Sequence, residues 1–173
     1  MAKASGWGSE DRGFKSRRPD MKKLTSDVTV ELHVPDFEIA IKFYNDLGFE
    51  VVWERKKGDP SARFLVMRKG ESILNFFGGD ETVYEQHYFK RFPRSTPRGY
   101  QVEITIPIDG LKEFYDDIKE KYKNSIVRPL GEKTFRARKR QDFRIVDPFG
   151  FYLCFVERYN WVDGRDKQGN PLK

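Results

Sequence analysis

The sequence predicts an α+β domain made of two tandem βαβββ modules. Three observations carry that prediction: an internal repeat, a change of hydrophobic period from 2 to 3.6 within each copy, and turn residues at matching places. Val30-Glu31-Leu32-His33-Val34-Pro35 matches Val102-Glu103-Ile104-Thr105-Ile106-Pro107 at an offset of 72. Phe43-Tyr44-Asn45-Asp46 matches Phe114-Tyr115-Asp116-Asp117 at an offset of 71. The second copy has lost one residue between strand and helix.

The first module occupies about residues 27–79. Val28, Val30, Leu32 and Val34 alternate with Thr29, Glu31 and His33, the pattern of a strand with one packed face. Phe37, Ala40, Ile41, Phe43, Tyr44 and Leu47 then recur at helical spacing, with Asp36 placed as N-cap and Gly48 as the residue after the C-cap. Strands follow at 49–55, 63–68 and 72–77, the last two joined by a tight turn at Lys69-Gly70. Residues 78–100 connect the copies. The second module covers about 99–157. Val102, Ile104, Ile106 and Ile108 share one strand face. Asp109 is the expected cap of a helix with the stripe Leu111, Phe114, Tyr115, Ile118 and Tyr122. Strands are expected at 126–128, 142–147 and 152–157, with a turn at Pro148-Phe149-Gly150 and a basic loop over 133–140. A helix packed on one face of each sheet leaves the other face free. The expected result is a curved mixed sheet whose unpacked face encloses a cleft.

Composition agrees with one folded domain. The chain has 173 residues, 38% hydrophobic and 15% aromatic, enough apolar area for a core. Cys154 is the single cysteine, so no intrachain disulfide forms and nothing points to an oxidising compartment. No apolar run reaches the ~20 residues that span a bilayer, and residues 1–26 lack the apolar core of a secretory signal. A cytoplasmic protein without membrane contact is the expectation. The net charge of +6 sits outside the repeat. Residues 1–26 hold seven Lys/Arg against three Asp/Glu, and 158–173 hold four against two, so residues 27–157 sum to zero. The first 26 residues read as a disordered basic tail, and 158–173 as a C-terminal tail. Nucleic-acid association through these tails stays as an alternative function, although a nucleic-acid binder usually shows its basic patch on the folded face.

Two segments carry a family resemblance. Val34-Pro35-Asp36, Ala40-Ile41-Lys42-Phe43-Tyr44 and Leu47-Gly48-Phe49 resemble the opening module of the glyoxalase/bleomycin-resistance/extradiol-dioxygenase superfamily, the vicinal oxygen chelate fold. The run Asp142 to Leu153, with Asp147-Pro148-Phe149-Gly150 at its turn, resembles the closing module. Metal-dependent members hold their ion on four cleft-facing strand positions. Carried over by register, those positions are Thr29, Asn75, Glu103 and Cys154, of which only Glu103 is a good carboxylate ligand. The resemblance then implies no metal and no cofactor, and is closest to the bleomycin-resistance branch. Arg128-Pro129-Leu130-Gly131 and Asp142-Phe143-Arg144 look most like that branch. Its members bind a drug as homodimers, without chemistry, and so give antibiotic resistance. A lyase, isomerase or dioxygenase with an unorthodox site from Glu31, His33 and Glu103 is the enzymatic alternative. The basic run Arg136-Ala137-Arg138-Lys139-Arg140 departs from the branch and argues against a simple transfer of a cationic ligand.

The residues expected to bind a small molecule are Glu31, His33, Trp53, Asn75, Phe77, Glu103 and Tyr152. Glu31 and Glu103 occupy equivalent repeat positions. They suit a cationic ligand or a general base, unless they are solvated or paired with Arg63 or Arg144. His33 is a cleft residue or an exposed polar one. Trp53, Phe77 and Tyr152 offer faces to a flat ligand, with core packing as the competing role. Asn75 reads as a hydrogen bonder, and Cys154 as a small buried hydrophobe. Tyr84, Tyr88, Phe89 and Phe92 alternate with Lys90, Arg91 and Arg94 in the connector. That pattern fits a loop covering the cleft or meeting a partner subunit better than it fits stacking on RNA.

Overall fold

A computed structural model describes residues 29–54, 64–135 and 138–158. Side chains of 133–139 lie outside the description, as do Val28, Arg63 and the two tail segments beyond Thr29 and Arg158. The first module runs β1 (Val30–Val34), α1 (Phe37–Asp46), β2 (Glu50–Glu54), β3 (Phe64–Lys69) and β4 (Ser72–Gly78). The second runs β5 (Glu103–Ile108), α2 (Leu111–Ile118), β6 (Ile126–Phe135), β7 (Arg138–Val146) and β8 (Tyr152–Glu157). The duplicated βαβββ architecture is therefore present, as two four-stranded mixed sheets ordered β1-β4-β3-β2 and β5-β8-β7-β6. In each, the first strand pairs in parallel with the last and the other pairs are antiparallel. β1 and β5 are thus edge strands at equivalent places.

Local chemistry explains the helix boundaries. The Asp36 carboxylate accepts from the Ile39 amide at 2.9 Å. Gly48 takes φ +79°, its N–H donates to Asn45 at 2.8 Å, and Phe49 N–H donates to Tyr44 at 2.9 Å. That pair of bonds closes the last turn of α1 in a Schellman arrangement, which needs a residue tolerant of positive φ. The second helix differs from expectation. Its N-cap is Gly110, at φ 66° and without a side-chain bond, rather than Asp109. Asp109 instead receives Arg158 Nε at 3.2 Å. The residue lost between strand and helix shifts the cap by one position and leaves the carboxylate outside the turn. The β3–β4 turn centres on Gly70-Glu71, since Lys69 and Ser72 are already paired. The expected basic loop at 133–140 is a continuation of the β6–β7 ladder as far as Phe135 and Arg138. Charge did not stop strand pairing there because ladder bonds come from the backbone.

One core serves both modules. Leu32, Val34, Phe43, Phe49, Leu65, Met67 and Phe76 join Ile106, Leu111, Phe143, Ile145, Leu153 and Phe155 in a single buried cluster. Two turns reach across the module boundary in a reciprocal way. Asp147, in the β7–β8 turn of module two, accepts the Tyr44 hydroxyl of α1 at 3.0 Å. Lys69, at the β3–β4 turn of module one, lies 4.0 Å above the Phe114 ring of α2 and donates to the Leu47 carbonyl. The Tyr122 hydroxyl also reaches Asp46 at the end of α1. Gly78 sets the other boundary that matters. At φ +114° it passes so near Val34 that a Cβ would sit 2.5 Å from the Val34 carbonyl oxygen and 2.9 Å from Val83. This close approach seats the connector against the end of β1.

Two outcomes test this packing. Burial pushes the Asp147 carboxyl from 3.8 up to about 6, although the amides of Phe151, Phe149 and Gly150 and the Tyr44 hydroxyl oppose the rise. A carboxyl raised on folding stabilises the fold while protonated and loses that contribution as pH rises. Between pH values of about 4.5 and 7.5 this group alone lowers unfolding free energy by about 2 kcal/mol. Asp147→Asn keeps an acceptor for Phe149 and Phe151 and removes the slope. Urea unfolding of both proteins at the two pH values should show the difference, and parallel pH profiles would refute it. Gly78→Ala combines positive φ with a backbone clash and should cost about 2–4 kcal/mol by the same measurement. A loss below about 1 kcal/mol would show that the β1–connector contact yields easily.

Candidate functional site: a cavity between the edges of β1 and β5

The register of the first sheet aligns Glu31, Asn75, Val66 and Trp53 in one row across its outer face. His33, Phe77 and Phe64 form the next row. The five module-one residues singled out in the sequence therefore share a face, because the alternating Leu32 and Val34 are drawn into the core. They are not equally placed. Trp53 stands at the far end of its row on the exposed strand β2 and is 49% exposed. Glu31 and His33 stand at the other end, on the β1 edge, and touch each other: His33 Nε2 lies 2.9 Å from Glu31 Oε1. In the tautomer with the proton on Nε2, the ring donates to that carboxylate and Nδ1 is a lone-pair acceptor. Nδ1 is buried and has no partner. The ring packs against Phe77 and Phe89, each at 4.9 Å between centroids.

Phe89 comes from the connector, which closes a cavity of about 520 Å³ against the β1 edge and the start of β5. Val30, Leu32, Val102, Ile104 and Phe151 form its apolar floor. Tyr84, Tyr88, Phe89, Phe92 and Tyr100 form aromatic walls, and Glu31 is the one carboxylate among the lining residues. The connector is held by guanidinium groups. Arg94 pairs with Glu81 at 3.0 Å and Glu85 at 3.5 Å. Arg98 donates to the His33 carbonyl. Both arginines stack over Tyr84, at 4.6 and 4.7 Å. Arg91 covers Tyr88 at 3.8 Å. Tyr88, Phe89, Phe92 and Tyr100 stay 44–70% exposed around the mouth. Sequence reasoning found the connector's aromatic and cationic alternation but not Arg98, Tyr100 or Phe151 as wall residues. Their signal was weak: nothing local shows that 98–102 returns to the same strand edge as 30–33.

Module two treats its equivalent positions differently. Glu103 and Tyr152 are register partners, and Thr105, Cys154 and Arg144 form the next row. Arg144 Nε donates to Glu103 at 2.9 Å, and its Nη1 donates to Asp142 at 2.6 Å. The pairing of Glu103 with Arg144 raised from the sequence is thus the observed one. Asp142 is 1% exposed and also faces Arg128 at 3.5 Å and Arg140 at 3.6 Å. Burial pushes the Cys154 thiol above its ordinary value, and Arg140 donates to its sulfur at 3.5 Å. Neither Glu103 nor Tyr152 lines the cavity that contains Glu31 and His33.

The four positions expected to correspond to metal ligands do not fit a divalent ion. Glu103 is engaged by a guanidinium, Cys154 is a protonated thiol beneath another, and Thr29 and Asn75 are neutral. Fixed positive charge takes the place that a cation would need. Among the described residues no three His, Cys, Asp or Glu side chains are grouped to hold a metal.

Comparison with known proteins follows the same lines. No curated protein matches the sequence. A protein of unknown function from Agrobacterium tumefaciens superposes with a TM-score of 0.57 at 17% identity, covering 77% of this chain and 94% of its own. A bleomycin-binding protein crystallised with bleomycin gives 0.51 at 22% identity, over 78% and 99%. A glyoxalase family protein from Enterococcus faecalis gives 0.51 at 22%, over 77% and 98%. These similarities show a shared fold. Residues 28–155 match the model of the Glyoxalase/Bleomycin resistance protein/Dioxygenase superfamily, and the chain belongs to that superfamily.

Proposed function

We propose that this protein binds a flat, cationic or amphipathic organic molecule and sequesters it without chemistry. The observation that carries this reading is the cavity itself: aromatic on several sides, with one carboxylate, Glu31, and with its two lining guanidiniums turned to other partners, Arg94 to Glu81 and Glu85 and Arg98 to the His33 carbonyl. A volume of about 520 Å³ is suitable for a small organic ligand. Aromatic faces bind a planar ring by stacking and a cation by its charge, the latter gaining ~0.5–2 kcal/mol per ring. His33 fixes the Glu31 carboxylate, and its unpartnered Nδ1 supplies a further polar atom for the guest. Asn75 and Phe77 stand beside Glu31 and His33 on the neighbouring strand, in register with them. Trp53, Glu103 and Tyr152 belong to the reading only through a second copy of the chain. In a homodimer, the exposed outer faces of the two modules would meet opposite partners, and the exposed Val51, Val52 and Trp53 on β2 would be covered.

Isothermal titration of the full chain against bleomycin and a panel of planar aromatic amines tests the reading. Saturable binding is expected. Glu31→Gln should weaken it about tenfold, a cost of about 1.4 kcal/mol. Phe89→Ala should weaken it by a similar factor. Absence of heat across the panel, or affinity indifferent to Glu31→Gln, would remove the cationic ligand. Light scattering coupled to gel filtration tests the second copy: a mass near 41 kDa, twice 20.5 kDa, is expected.

A further inference from the structure

The two guanidinium groups that line the cavity are balanced differently. Arg94 faces two carboxylates, Glu81 and Glu85, neither of which lines the cavity. Its charge is offset from outside. Arg98 faces no carboxylate among the described residues. Its Nη1 donates to the His33 carbonyl at 2.5 Å, and its guanidinium carbon lies 4.7 Å from the Tyr84 ring centroid. A carbonyl accepts a hydrogen bond and a ring face attracts a cation, but neither carries a countercharge. Arg98 is therefore a part-buried cation whose positive charge is not neutralised.

Glu31 is its opposite. The carboxylate touches the His33 ring at 2.9 Å and pairs with no Lys or Arg among the described residues. Glu31 and Arg98 are thus held by the same residue, one at the His33 ring and one at the His33 carbonyl. Both line the same cavity, yet they form no ion pair with each other. A cation and an anion stand apart in a mostly apolar lining, each lacking a counter-ion.

This arrangement sets a condition on the guest. A simple cation gains from Glu31 and is repelled by Arg98. A simple anion meets the reverse. A molecule of zero net charge that carries both an ammonium and a carboxylate satisfies both groups. Arg98 is suited to the carboxylate, because a guanidinium can hold one through two parallel N–H bonds, and the His33 carbonyl uses only one of its donors. The ring faces of Phe89 and Tyr100 remain for a flat body. Resting on the small-molecule reading of this cavity, and narrowing it, we propose that the guest is a planar aromatic zwitterion, with its ammonium on Glu31 and its carboxylate on Arg98. Arg98 is then the residue that selects the zwitterion over the plain amine.

Three indole probes separate the charges: tryptophan carries both, tryptamine lacks the carboxylate, and indole-3-propionate lacks the ammonium. Isothermal titration of the full chain with each, near pH 7, tests the proposal. Tryptophan should bind at least tenfold more tightly than either single-charge probe. Arg98→Gln should erase its advantage over tryptamine by weakening tryptophan about tenfold. Arg98 also holds the connector, so Arg98→Lys serves as the second variant: it keeps the charge, loses the fork, and should keep part of the preference. A single-charge probe bound as tightly as tryptophan, or a preference for tryptophan that survives Arg98→Gln, would overturn the proposal and leave a purely cationic guest in place. Silence from all three probes while bleomycin or the planar amines bind would overturn it alone. Silence from every compound would remove the small-molecule reading with it.

Discussion

The contact between Tyr44 and Asp147 is the constraint on which the rest of the arrangement depends. It is buried, it spans 103 residues of sequence, and it joins the helix of one module to a turn of the other. Its counterpart, Lys69 over Phe114, runs in the opposite direction. Each module therefore uses the turn before its last strand to grip the helix of its neighbour. The grip merges two helix-covered faces into one core and fixes the angle between the sheets. That angle decides where the free edges of β1 and β5 lie, and the cavity exists because both edges border the same space. A buried hydroxyl–carboxyl bond costs desolvation, which is visible in the raised carboxyl of Asp147. Its contribution is specificity of docking as much as net stability.

Duplication supplied two equivalent outer faces, and the chain uses them differently. Glu31 is held by a histidine at the edge of an aromatic cavity. Glu103, its repeat partner, is neutralised by Arg144 within a network that also engages Asp142. The first environment leaves a carboxylate open to a guest. The second replaces openness to a cation with a fixed guanidinium. A change of all three side chains in one cross-strand row, Thr105-Cys154-Arg144 against His33-Phe77-Phe64, separates a binding face from a charged scaffold.

The connector completes the site with little regular structure. Two short 3₁₀ turns, Glu81–Glu85 and Phe89–Arg91, present their aromatic side chains inward and at the mouth. Guanidinium stacking on Tyr84 and the Arg94 ion pairs with Glu81 and Glu85 hold these turns in place of a hydrogen-bonded ladder. A wall built this way shifts more readily than a strand, because exposed ion pairs contribute little and are screened by salt. Phe89 packs edge-on against the His33 ring and against Tyr88, and is 44% exposed at the mouth.

The sequence by itself determined the modules, their elements and the faces of their strands. Alternation and helical spacing are local, and each residue reports its own face once the period is known. Asp36 and Gly48 were legible as a cap and a terminator for the same reason. The Asp109 cap and the 133–140 loop were misread because a one-residue deletion and a run of charge obscure what backbone pairing does. Of the seven candidate site residues, sequence could place five on one face but could not say that only Glu31 and His33 border the cavity. Nor could it bring Arg98, Tyr100 and Phe151 to that edge, or pair Glu103 with Arg144 rather than with a guest. Those facts depend on the angle between two sheets and on contacts many residues apart, which only tertiary packing decides.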